Sequence, residues 1–203
     1  MSEQTGEYVS PVSKAAHRFN NDLRYRAGGH EAQRQLTPPY VLEPVRAALG
    51  GCIGLDPCTE PDNPTNALSY FTADDDGLSH VWHPSRIYVN PPYSKAREPW
   101  VLRCIKAGAE GKRVVLLMPA HTDTRIWHQA MTSASAVCFI KGRVKFGVLR
   151  ANRRQEAASH PSALIGWNVD LASCAVLGHV VTLRKAALSD SSAAALIKEE
   201  PYE

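Results

Sequence analysis

The sequence predicts an α/β fold: a mainly parallel sheet with helices on both faces and an antiparallel hairpin at one edge. Three observations carry that expectation. Strand and helix signals alternate through the first two thirds of the 203 residues, as parallel strands joined by crossover helices require. Arg113 to Met118 is a continuous Val/Leu run, the pattern of a strand buried on both faces. Later, Ala136 to Ile140 and Arg143 to Val148 read as two strands joined by Lys141-Gly142.

The elements follow in order. Residues 1–36 are polar and lack an apolar period. They carry His17, Arg18, Arg24, Arg26, His30 and Arg34, and are expected to form a basic arm, either solvated or touching a nucleic-acid backbone. After Thr37-Pro38-Pro39, helical spacing of Val41, Leu42, Val45, Ala48 and Leu49 predicts a helix that Gly50-Gly51 ends. Cys52 to Leu55 reads as a buried strand delivering Asp56-Pro57. Residues 57–80, rich in Pro, Asn, Asp and Thr around Leu68, Tyr70 and Phe71, predict little regular structure. Arg86 to Val89 is the next strand, stopped by Asn90-Pro91-Pro92. Helices are expected over Trp100–Ala109 and Thr124–Met131, and further strands over Ala163–Trp167 and Ala175–Val181. The folded domain is therefore placed at 37–185, with 186–203 as a polar tail.

A hydrophobic share of 44% and a charged share of 21% supply a core and exclude disorder throughout. The net charge of +3 neither demands nor excludes a polyanionic partner, so local clustering must decide. Cys52, Cys58, Cys104, Cys138 and Cys174 are odd in number and form no C-x-x-C pair, which favours reduced thiols over a metal site. His121 and His128 fall on different helical faces and offer no metal pattern. No apolar run approaches the roughly 20 residues that span a bilayer, and no signal-peptide core is present, so a cytoplasmic protein without a membrane partner is expected.

The motif that carries chemistry is Asn90-Pro91-Pro92-Tyr93. An exocyclic amino group on a base is a poor nucleophile because its lone pair is delocalised into the ring. Two acceptors, the side-chain oxygen of Asn90 and the carbonyl of Pro91, can each take one amino hydrogen and leave the lone pair aimed at an electrophilic methyl group. Pro91 and Pro92 restrict the loop, and Tyr93 offers an aromatic face for stacking. Thr37-Pro38-Pro39-Tyr40 repeats the P-P-Y triplet, but it precedes a helix and lacks the amide. His121, Asp123 and Arg125, after the strongest strand, should also reach the catalytic rim, yet no serine elbow accompanies them as a hydrolase would need.

An N-P-P-Y loop after a strand resembles the catalytic signature of amino-methyltransferases with the Rossmann-like class I methyltransferase fold. More specifically, the chain resembles the phage-type, Dam-like DNA N-6-adenine methyltransferases from about Thr37 to Trp167. The pieces are T-P-P-Y at 37–40, L-D-P-C at 55–58, D-D-D-G-L at 74–78, N-P-P-Y-S at 90–94, F-I-K-G-R-V-K-F at 139–146 and P-S-A-L at 161–164. The resemblance implies S-adenosylmethionine as methyl donor, duplex DNA as partner, and a setting in a phage or a restriction-modification system. It implies that Thr37 and Pro38 line the cofactor's methionine end, that Asp56 and Pro57 form the loop beside it, and that Asp76 meets its adenine or ribose. Asp56 as a helix N-cap and Asp74 to Asp76 as a solvated turn are the alternative readings. The glycine-rich loop of many such enzymes is absent from Asp56 to Pro61.

A base in duplex DNA must be flipped out to reach such a rim. Lys141, Arg143, Lys145, Arg150, Arg153 and Arg154, in a stretch without an acidic residue, are the candidate phosphate contacts. A charged hairpin edge that resists strand pairing is the alternative. Related loops act on protein glutamine or RNA guanine, and a non-catalytic DNA-binding relative is a further reading.

Overall fold

The computed structural model describes residues 36–93, 96–147 and 156–183. The basic arm up to Arg34, the polar tail at 186–203, and Arg150, Arg153 and Arg154 lie outside the described residues. Among the described residues there are three α-helices: α1 (Pro39–Ala48), α2 (Arg97–Ala109) and α3 (Arg125–Ser133). The strands are β1 (Leu55–Asp56), β2 (Ser69–Tyr70), β3 (Arg86–Val89), β4 (Arg113–Pro119), β5 (Ala136–Ile140), β6 (Lys145–Phe146), β7 (Glu156–Ala157), β8 (Ser162–Trp167) and β9 (Gly178–Thr182).

Seven strands form one sheet in the order β2-β1-β3-β4-β8-β5-β9. β2, β1, β3 and β4 are mutually parallel, whereas β8 pairs antiparallel with both β4 and β5, and β9 pairs antiparallel with β5. Five of the seven strands therefore run one way, and the chain forms the mixed α/β sheet the sequence predicts. β4 is buried from Val114 to Pro119, which explains its unbroken apolar run.

Each sheet face carries its own core. Val41, Leu42 and Val45 of α1 join Tyr88, Val115 and Leu164 on one side, together with Cys174 of the 3-10 turn Ala172–Val176. On the other, Trp100, Val101 and Cys104 of α2 and Ile126 and Trp127 of α3 cover Ile87, Val89, Leu116 and Ile165. Successive β-strand side chains point to opposite faces, so Tyr88 belongs to the first core while Ile87 and Val89 belong to the second. Gly108 permits close packing of α2: an added Cβ would sit 2.7 Å from the Trp167 side chain.

Three expectations need correction. The 136–140 and 143–148 segments do not form a hairpin. β5 is flanked on both sides by β8 and β9, so its ladder groups are already taken, and the chain turns away at Gly142 (φ 77°). β6 instead pairs with β7 in a separate two-stranded sheet. The strand expected over Ala175–Val181 is divided between the end of the 3-10 turn and β9, while that over Cys52–Leu55 shortens to β1, led in by a Gly54 N–H bond to the Arg86 carbonyl at 2.8 Å.

All five cysteines are free. Among the described residues no helix is long and apolar enough to cross a membrane, and no group of three or more His, Cys, Asp or Glu is arranged to hold a metal ion.

Candidate active site

The chain runs from β1 outward to β2, then returns to place β3 on the other side of β1. That reversal opens a crevice beyond the carboxyl ends of β1 and β3, the position where open α/β sheets take ligands. Asp56 ends β1, and Asn90 follows β3 by one residue. The two residues the sequence singles out on separate strands thus share one rim.

Asn90 is held by a residue 53 positions away. Leu36 makes a reciprocal backbone bridge with Gly147, through N–H to carbonyl contacts of 3.1 and 2.9 Å, which delivers Thr37 to the crevice. The buried Thr37 hydroxyl lies 2.8 Å from the Tyr88 hydroxyl and accepts a hydrogen bond from Asn90 Nδ2 at 3.0 Å. This contact orients the amide, nitrogen toward Thr37 and carbonyl oxygen away from it. The Asn90 backbone N–H points at the Cys58 sulfur, whose thiol is pushed well up by burial and by Asp56, and so stays protonated. Tyr88, the one polar tip in the buried part of β3, is a member of the site that the sequence reading missed.

Asp56 is 2% exposed. Its carboxylate accepts from the Thr65 hydroxyl at 2.8 Å and from the Cys58 N–H at 3.2 Å, with the Thr59 hydroxyl adding a third stabilising contact. Arg46 of α1 in turn donates to the Thr65 carbonyl at 2.8 Å, fixing this loop on the helix. Burial nevertheless dominates and raises the Asp56 carboxyl from 3.8 to about 6. The carboxylate therefore organises its own loop, and Thr65, hidden in an irregular Asn-rich stretch, is a second partner that sequence reading missed.

The acidic turn packs against this loop. Phe71 donates its N–H to the Asp56 carbonyl and accepts from the Thr59 N–H, both at 3.0 Å. Asp75 takes the Thr72 N–H and hydroxyl, each at 2.8 Å, which lowers its carboxyl. Asp76 stands at φ 54° and its carbonyl accepts from the Ser79 N–H and hydroxyl. Next to it, Gly77 touches Pro57 so closely that an added Cβ would lie 1.8 Å from the Pro57 carbonyl oxygen. Gly77→Ala is expected to lower stability by about 2 kcal/mol through overpacking against backbone; urea unfolding of the purified variant checks it.

Tyr93 turns inward. Its ring meets Phe146 of β6 edge-on, with centroids 5.7 Å apart and planes at 90°. Its buried hydroxyl approaches Ser162, yet neither hydroxyl closes a hydrogen bond with a described residue. Burial raises the phenol well above its usual range. Phe146 and Ser162 lie in the F-I-K-G-R-V-K-F and P-S-A-L motifs, but only the fold brings both to Tyr93.

Of the basic residues, Lys141, Arg143 and Lys145 are exposed on the segment that carries Phe146. Arg143 donates to the Ser159 carbonyl, and the Lys145 N–H donates to the Tyr40 hydroxyl at 3.2 Å. The Pro38-Pro39-Tyr40 triplet therefore supports β6 while the threonine before it reaches Asn90.

A family model described as DNA N-6-adenine-methyltransferase (Dam) matches residues 30–188. No curated protein matches the chain.

Proposed function

The chain belongs to the DNA N-6-adenine-methyltransferase (Dam) family, and from that membership we propose that it transfers a methyl group from S-adenosylmethionine to N6 of an adenine flipped out of duplex DNA, on a Rossmann-like class I methyltransferase fold. The observation that carries this reading is the Asn90 amide, fixed by Thr37 at the crevice between β1 and β3.

Asn90 Oδ1 and the Pro91 carbonyl accept the two amino hydrogens, drawing nitrogen toward a tetrahedral geometry and freeing its lone pair. S-adenosylmethionine supplies, when bound, a methyl group already activated on a sulfonium. The amino nitrogen gains a methyl group and loses one proton, which passes to water. Pro91 and Pro92 hold the loop in shape, and Tyr93, braced by Phe146, forms the aromatic wall for the base.

Asp56 offers a test of fit for the cofactor. It is a buried carboxylate that forms no ion pair among the described residues, and only hydroxyls and a backbone N–H offset its burial. A cationic ligand in the crevice suits such a site. Thr37 and Pro38 would hold one side of it, Asp56 and Pro57 the floor, and Asp76, brought in by the Gly77 contact, the far end. Lys141, Arg143 and Lys145, with Arg150, Arg153 and Arg154 further along the chain, would take DNA phosphates.

Incubation with labelled methyl donor and unmodified duplex DNA, RNA or protein, side by side, tests the reading: label is expected on DNA adenine. Label confined to RNA or protein overturns it. Thr37→Val is expected to reduce kcat about tenfold with little change in KM, because Asn90 and Tyr88 both lose the Thr37 hydroxyl. Steady-state kinetics on duplex DNA measure that split.

A further inference from the structure

β4 and β8 pair in antiparallel register up to Pro119↔Ser162. Continuing that register two residues sets His121 opposite His160, beyond the sheet end that carries Asn90. The Ala120 N–H donates to the Pro161 carbonyl at 2.8 Å, so the two chains stay together past the last ladder pair. The imidazoles meet edge-on with centroids 4.6 Å apart. Arg97, the first residue of α2, is near enough for its charge to act on both His121 and the Tyr93 hydroxyl.

The exposed His160 and the half-buried His121 are thus in ring contact, and the Arg97 charge acts on His121. Burial, His160 and Arg97, in that order, all lower the proton affinity of His121, and only Asp123, itself exposed, opposes them. Glu98, the neighbour of Arg97, is engaged by Arg125 of α3. Charging His121 beside His160 and Arg97 is unfavourable in the free protein. It becomes favourable when an anion rests among them, because guanidinium and imidazolium N–H groups both make charge-assisted bonds to phosphate oxygens. Tyr93 connects this spot to the base pocket, since its hydroxyl approaches Ser162, two residues from His160. A flipped nucleotide brings its flanking phosphates with it.

We propose that Arg97, His121 and His160 form a phosphate site that grips the DNA backbone beside the flipped adenine. The site rests on the DNA-adenine reading and gives the bound strand a second hold besides the basic β6 segment. Phosphate offsets the repulsion around His121, so DNA binding takes up a proton there and tightens as pH falls.

Fluorescence anisotropy with a labelled duplex oligonucleotide, at pH 6 and pH 8 and across a salt series, tests it. Wild-type protein is expected to bind about tenfold more tightly at the lower pH. His121→Gln and His160→Gln remove most of that gain, and Arg97→Gln weakens binding at both pH values and lowers the log–log salt slope by about 1. Melting temperature and S-adenosylmethionine affinity stay at wild-type levels, and the exposed His160 side chain makes its variant the safest for folding. Variants with the wild-type salt slope and pH dependence overturn the phosphate site and leave the methyltransferase reading standing. Wild-type protein that binds no DNA overturns both.

Discussion

Replacing Asn90 by alanine is expected to lower kcat for DNA methylation by at least about a hundredfold, the scale of losing one preorganised polar group at the reacting atom. The side chain is partly exposed and donates through Nδ2 to the Thr37 hydroxyl, at the rim and away from the two cores. Its loss should therefore leave the melting temperature within a few degrees of wild type and change the affinity for S-adenosylmethionine little. Asn90→Asp, which keeps an acceptor at the same point, should recover part of the rate. Single-turnover methylation of duplex DNA, beside cofactor titration, separates the chemical step from binding; an Asn90→Ala enzyme with wild-type kcat would remove the loop from the mechanism.

The second large effect concerns Asp56. Its carboxyl is raised from 3.8 to about 6 by burial. A raised carboxyl pKa means that the folded chain holds this proton more tightly than the unfolded chain. The stability that the neutral acid contributes is complete below 3.8 and is lost as pH rises through about 6. The shift corresponds to about 3 kcal/mol at neutral pH. Asp56→Asn keeps acceptor contact with the Cys58 N–H and lets the Thr65 hydroxyl rotate to accept, so the variant should gain stability above pH 6 while its cofactor affinity drops. Urea unfolding midpoints between pH 4.5 and 8 check the first half, and calorimetric titration the second. Parallel pH profiles for the two proteins would contradict the assignment.

Local patterns made part of this site legible. Asn90 to Tyr93 stands out because a strand ends on it, and the burial of β4 follows from its uninterrupted Val/Leu run. The Lys141-Gly142 turn misled because strand alternation around it is genuine, while the partner of β5 is decided elsewhere. No local signal announces that β8 and β9 will claim both edges of β5, since those pairings join residues tens of positions apart. The same holds for the crevice. Thr37 carries a motif, but its contact with Asn90 depends on the Leu36–Gly147 bridge, and the meeting of Tyr93 with Phe146 and Ser162 depends on three separate elements converging. Asp56 was found by its place after a strand, whereas its enclosure by Thr65, which changes its acidity, belongs to the folded loop alone.

The five residues from Leu36 to Tyr40 have a further consequence. Leu36 pairs with Gly147, Tyr40 holds the Lys145 N–H, and Thr37 between them orients Asn90. One short segment therefore both orients Asn90 at the crevice and supports the basic segment. Two ligands that load the same strut are thermodynamically linked, and such coupling is reciprocal. Whatever factor DNA applies to cofactor affinity, the cofactor returns to DNA, so the order of their addition can alter kinetics but not the stability of the ternary complex.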